Sequence, residues 1–162
     1  MGFIMEKNKT LYLMCGVAGS GKSTYIQKYL TPNCAWCSRD LVRFSLLGDN
    51  DDYFSKENEV FNKWINNINS EISNDKIDII YVDATHLTPK ARNKVLDKLS
   101  LNNVDIIPIS FELPLKTCLE RHAKRTGRAL VPEDTIINMY QGYKAPTMNE
   151  KYKYKKIIKI TE

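Results

Sequence analysis

Gly16-Val17-Ala18-Gly19-Ser20-Gly21-Lys22-Ser23 spells G-x-x-x-x-G-K-S, and no other stretch of this 162-residue chain declares its chemistry so directly. The glycines let the backbone wrap tightly, so that successive N–H groups turn inward and cradle phosphate oxygens. In such a loop the lysine, here Lys22, bridges the β- and γ-phosphates, and the hydroxyl after it, Ser23, ligates Mg²⁺. Binding a nucleotide does not say what is done with it. Transfer of a phosphoryl group needs a carboxylate to take the acceptor's proton and cations over the transferred group. Ser38-Arg39-Asp40 offers Asp40 as that carboxylate, with Arg43 one helical turn further on the same side. Taken alone, the tripeptide is equally a helix cap. Asp83 closes the apolar run Ile79-Ile80-Tyr81-Val82, where a phosphate-loop protein often keeps a metal-organising acid. Arg121, Arg125 and Arg128 recur at spacings of four and three, with Lys124 beside them. They share one helical face if the helix extends that far, but Thr126-Gly127 is expected to break it and leave Arg128 on a mobile loop. The cluster is either a solvated basic surface or a lid over the phosphates, and the phosphate loop favours the lid.

Short apolar runs alternate with helical patterns along the chain, which predicts an α/β fold with a parallel sheet. Leu11 to Cys15 reads as a buried strand entering the glycine loop, and Lys22 to about Leu30 as the helix leaving it. This strand–loop–helix context is what the phosphate motif requires. Cys34 to Cys37, Lys76 to Val82, Val104 to Phe111 and Ile157 to Ile160 supply four more strands; Pro108 marks an edge or irregularity in the third of these. Val60, Phe61, Trp64, Ile65, Ile68 and Ile72 recur at helical spacing within 55–73. Thr88 with Pro89 caps a helix, Pro114 opens a basic one to about Lys124, and Pro132 opens another to about Tyr140. In an open α/β sheet the ligand crevice lies at the carboxyl ends of the strands, which is where Asp40, Asp83 and the loop fall.

At 43% hydrophobic and 27% charged residues, the composition predicts one globular domain over 1–162. No apolar run approaches the ~20 residues of a membrane span, and the first ten residues lack the apolar core of a signal peptide. An intracellular, cytoplasmic protein is expected. The net charge of +5 is uneven: residues 1–80 sum to −1 and residues 81–162 to +6. That asymmetry fits an anionic partner or a solvated lysine-rich surface. Cys34-Ala-Trp-Cys37 has redox or zinc spacing, but in a strand the two thiols point to opposite faces, so structural thiols are expected. His86 is expected to support the site from outside or to be solvated, and His122 to be exposed.

Together, the loop 16–23, Ser38-Arg39-Asp40-x-x-Arg43, Asp83-Ala84-Thr85 and Arg121-x-x-x-Arg125-x-Gly127-Arg128-x-x-Val131-Pro132 resemble the kinase domain of phage and bacterial polynucleotide 5′-kinases, in family order over about residues 10–143. The resemblance implies a three-layer P-loop kinase fold with strand order 2-3-1-4-5 and a lid at about 114–131. ATP and Mg²⁺ would be held by Gly16, Gly19, Ser20, Gly21, Lys22, Ser23 and Thr24, with Arg121 and Arg125 on the phosphates and transition state. It makes Asp40 the general base, Arg43 a contact to the acceptor's phosphate or an organiser of the transferring group, and Arg39, Asp83 and Thr85 acceptor or orienting residues. Asp83 could act through Arg43, the metal or the acceptor. The implied partner is a nucleic acid 5′-hydroxyl end, DNA or RNA, as in nucleic acid repair. Asp49-Asn50-Asp51-Asp52 lacks the strand context of the 3′-phosphatase that many such enzymes carry, so a kinase without phosphatase is expected.

The stretch Leu41 to Ile72, which should shape the acceptor site, matches no motif. A small-molecule kinase acting on a sugar, an antibiotic or a sugar nucleotide therefore stays open; it needs a closed acceptor pocket rather than an open basic channel. Tyr53, Phe54 and Trp64 are candidates to stack on a terminal base, with Trp64 better placed on its helix's apolar face. A non-catalytic nucleotide-binding module is a third reading, and it has no use for a base or paired arginines.

Overall fold

The computed structural model describes residues 7–127 and 130–161. Five strands, β1 (Lys9–Cys15), β2 (Cys34–Ser38), β3 (Ile79–Asp83), β4 (Val104–Phe111) and β5 (Ile158–Ile160), form one parallel sheet in the order β2-β3-β1-β4-β5. The order is the expected one. Helices α1 (Lys22–Tyr29), α2 (Arg39–Leu46), α3 (Glu57–Ile72), α4 (Pro89–Leu96), α5 (Leu115–Ala123) and α6 (Glu133–Gly142) connect and cover it.

Alternation along β1 sorts its side chains between the two faces. Leu11, Leu13 and Cys15 join a core with α3 and α4, while Met14 joins Ile26 of α1 on the other face. An interior parallel strand is buried on both sides, which is why it reads as a continuous apolar run. The six predicted apolar positions of α3 are all buried, Trp64 completely. Cys34 and Cys37 go to opposite faces, as strand alternation requires. Pro108 sits in an interior strand, paired in register with Leu13 on one side. On the other side β5 begins only opposite Ile109, so at Pro108 the strand is locally an edge.

For His86 one of the two expectations, solvation, is overturned, and for His122 exposure is. His86 is buried, 3% exposed, with φ of 43° and Nδ1 2.6 Å from the Met14 carbonyl; burial pushes it down to about 4. It is thus neutral and donates that bond, a core residue rather than a solvated one. His122 is also buried rather than exposed, with Nε2 at 2.8–2.9 Å from the backbone oxygen and nitrogen of Val131. It ties α5 to the chain that returns from the loop beyond it.

The C-terminal segment is locked by a guanidinium with no exposed surface. Arg92 of α4 donates from Nε and Nη2 to the two oxygens of Glu150, each at 2.9 Å, and from Nη1 to the His86 carbonyl at 2.7 Å. Tyr154 donates to the same carboxylate at 2.9 Å. Removing one member of a buried pair leaves the other charge uncompensated, typically at about 3–5 kcal/mol. Glu150→Ala should therefore lower the unfolding free energy by about that much in a urea titration. A loss below about 1 kcal/mol, the range of exposed pairs, would contradict the burial described here.

Candidate functional site

The phosphate loop leaves β1 and turns into α1 through backbone that only glycine adopts readily. Gly19 and Gly21 have φ of 83° and 98°. A Cβ on Gly19 would meet the Cys118 carbonyl oxygen at 2.7 Å, so α5 packs directly onto the loop. The Gly16 amide donates to the Thr85 carbonyl at 2.9 Å, tying the loop to the chain that follows β3. Thr85 thus engages the site through its backbone. Lys22 is buried, and Nζ donates to the carbonyls of Gly16 and Val17, each at 2.8 Å. Burial pushes its ammonium below the ordinary lysine range; Asp83 opposes this and the charge of Arg125 reinforces it. Thr24, next on α1, is exposed.

Ser23 and Asp83 meet at the carboxyl ends of β1 and β3. Ser23 Oγ donates to Asp83 Oδ2 at 3.3 Å, and the indole Nε1 of Trp36 donates to the same oxygen at 2.9 Å. Burial raises the Asp83 carboxyl above the usual range, against the pull of Lys22 and the Trp36 bond. A hydroxyl and a carboxylate side by side, next to a glycine cradle and a buried ammonium, are the hard oxygen donors and cations that Mg²⁺ and a triphosphate need.

Asp40 lies in the first turn of α2, immediately after β2. Ser38 caps that helix, accepting from the Leu41 amide at 3.2 Å, so Ser-Arg-Asp is both a cap and a presentation of the acid at the cleft. Two donors converge on Asp40 Oδ1: Arg43 Nη1, and Tyr53 OH at 3.0 Å. Burial pushes the Tyr53 phenol up to about 12, so it stays a donor. Arg43 is only 5% exposed and also grips Glu57, with Nε to Oε1 at 2.6 Å and Nη2 to Oε2 at 3.0 Å. Arg39 reaches Glu57 Oε2 at 3.1 Å, its guanidinium over the rings of Phe61 and Trp64. Every nitrogen of the Arg43 guanidinium is already bonded within the chain. Glu57 gives no signal in the sequence and Tyr53 only that of a stacking ring, because Glu57 meets Arg39 and Arg43, and Tyr53 meets Asp40 and Arg43, only once the chain at 53–57 packs against α2.

Arg121 of α5 donates from Nη1 to the Ser20 carbonyl at 3.2 Å, which sets its guanidinium against the phosphate loop. The helix ends at Ala123, so Arg125 lies beyond it and does not share a helical face with Arg121. Its charge is nevertheless felt at Lys22. Arg128 lies outside the described residues. No helix among the described residues is long and apolar enough to cross a membrane.

A five-stranded parallel sheet in this order with a glycine cradle at the end of β1 defines a P-loop nucleoside-triphosphate-binding domain. The chain belongs to the AAA domain family, whose model matches residues 11–146. No curated protein is a match. Among solved structures the chain is similar to one in the Pnkp1/Rnl/Hen1 RNA repair complex, with a TM-score of 0.72 and 22% identity over 85% of this chain. It spans 45% of that chain. A fungal RNA kinase is similar at TM-score 0.63 and 12% identity, over 95% of this chain and 38% of the other. A sugar kinase from Janibacter sp. HTCC2649 is similar at TM-score 0.62 and 16% identity, over 95% and 85%. At such identities these similarities speak for the fold alone.

Proposed function

We propose that this protein transfers the γ-phosphoryl group of ATP to the 5′-hydroxyl of a polynucleotide. The observation that carries the reading is the state of Asp40. Its side chain is 55% exposed at the cleft, and Oδ1 is saturated by two donors, which leaves Oδ2 to accept a proton. Phe54 and Leu41 beside it are 62% and 58% exposed, an open apolar rim suited to a nucleobase rather than a closed sugar pocket. The acceptor oxygen attacks the γ-phosphorus and its proton passes to Asp40 Oδ2. The bond to the β,γ-bridging oxygen breaks, and ADP leaves. Lys22, Arg121 and Arg125 hold the phosphate charge, which is most of the work in phosphoryl transfer. Mg²⁺, held by the Ser23 hydroxyl with Asp83 behind it, would shield the triphosphate oxygens from the incoming nucleophile.

Part of the positive charge of the C-terminal half is committed away from the cleft. Lys151, Lys155 and Lys159 are paired with Asp97, Asp105 and Glu112. Asp105 is in register with Thr10, at the end of the sheet opposite the phosphate loop. A sugar kinase is the second reading, favoured by the 85% of the Janibacter enzyme that this chain spans.

The test offers labelled ATP with a nucleoside, a 3′-nucleotide, a short oligonucleotide and a panel of sugars. The oligonucleotide should be phosphorylated at its 5′ end. Its apparent affinity should fall with salt, by about 0.7 in log–log slope per phosphate neutralised. Phosphorylation of a sugar, with none of the oligonucleotide, would replace this reading by the second.

A further inference from the structure

Trp36 stands on the outer strand of the sheet, yet its indole is aimed at the nucleotide site. On β2, Cys34 and Trp36 face the α1 side of the sheet, while Ala35 and Cys37 face the α3 side. Ser38 is in register with Asp83, and Trp36 with Tyr81. The indole therefore reaches diagonally across to β3, and Nε1 meets Asp83 Oδ2 at 2.9 Å. Ser23 Oγ approaches the same oxygen at 3.3 Å. Asp83 is 7% exposed, so its orientation is set by these donors rather than by water. Both act on Oδ2. The other tryptophan, Trp64, has no part in this, being fully buried with its Nε1 on the Cys37 carbonyl at 2.9 Å.

We propose that Trp36 is a positioning residue for metal binding: its N–H fixes the Asp83 carboxylate with Oδ2 held beside Ser23, where the Mg²⁺ shell would form. The inference rests on the nucleotide-binding reading of the loop and is independent of the acceptor. A donor that orients a metal-organising acid from behind typically changes metal affinity by ~10–100-fold when removed. The ring alone cannot do this. Trp36→Phe keeps an aromatic ring against the cluster on the α1 side of the sheet and loses the bond, whereas Trp36→His keeps a ring N–H.

Binding of a fluorescent ADP to the full chain is to be titrated with Mg²⁺, and compared with binding in EDTA. Trp36→Phe should bind the nucleotide in EDTA as the wild type does, but need at least ~10-fold more Mg²⁺ to reach half of the Mg²⁺-dependent gain. Trp36→His should recover part of that shift. An unchanged Mg²⁺ midpoint in Trp36→Phe overturns the proposal. So does equal weakening in EDTA and in Mg²⁺, which marks a merely structural role. Absence of nucleotide binding by the wild type would instead overturn the reading of the loop, and this proposal with it. A measurement on the wild type alone covers the case in which the variants do not fold. In ¹⁵N-labelled protein with ADP bound, Mg²⁺ should move one of the two indole N–H resonances and leave the other in place. If both stay in place, the proposal is wrong.

Discussion

Lys22→Ala should bind ATP more weakly and transfer phosphate at least ~10²-fold more slowly, since one preorganised donor on a developing oxyanion is commonly worth ~10²–10³-fold. The Lys22 ammonium donates to the carbonyls of Gly16 and Val17. A triphosphate in the cradle offers it a better partner than two neutral oxygens. Burial already disfavours the isolated charge, so the exchange favours the bound state. The substitution also strips two loop carbonyls of their donor. Thermal unfolding must therefore be measured beside the kinetics, so that loss of the loop is not mistaken for loss of a cation. Wild-type turnover by a folded Lys22→Ala protein would remove the loop from the reaction.

Much of the frame is legible in the residues because each element carries a local signal. The apolar run before the glycines, the six-position stripe of α3 and the Thr88–Pro89 start of α4 all depend on neighbours in sequence. α2 carries only its Ser38 cap as a signal. It has eight residues, begins directly after β2 without a turn, and buries only Val42 and Arg43, too little for a period to emerge. α5 stops at Ala123, within a residue of the predicted end at Lys124, so Arg125 falls beyond its last turn, and its charge still weighs on Lys22.

The site divides in the same way. The phosphate loop, Asp40, Asp83 and Arg121 stand at strand ends or beside the loop, positions that an open α/β sheet makes special. Tyr53, Glu57 and Trp36 owe their roles to contacts across 13, 14 and 47 positions of sequence. Nothing in a tyrosine, a glutamate or a tryptophan taken singly announces such a partner. The two histidines make the same point in reverse. Their residue type suggests chemistry, but His86 is held neutral among core side chains and His122 fastens backbone. For these residues, burial and partners outweigh identity.

Asp40→Asn should fold, bind ATP as the wild type does, and lose ~10²–10⁴-fold in phosphorylation of the acceptor. The amide oxygen of asparagine can still accept from Arg43 and Tyr53, so the ring of contacts around α2 survives. Glu57 still neutralises the buried Arg43 from the other side at 2.6 Å, and no unpaired charge is created in the interior. At 55% exposure, Asp40 also contributes little to the core. What the amide cannot do is take a proton on the atom that replaces Oδ2. The loss should therefore fall on kcat, with the affinity for ATP unchanged and unfolding within a few degrees of wild type. A change in ATP affinity of the same size as the loss in rate would mark Asp40 as part of the phosphate site. Near-normal rates would reduce it to the first turn of a capped helix and move the base elsewhere.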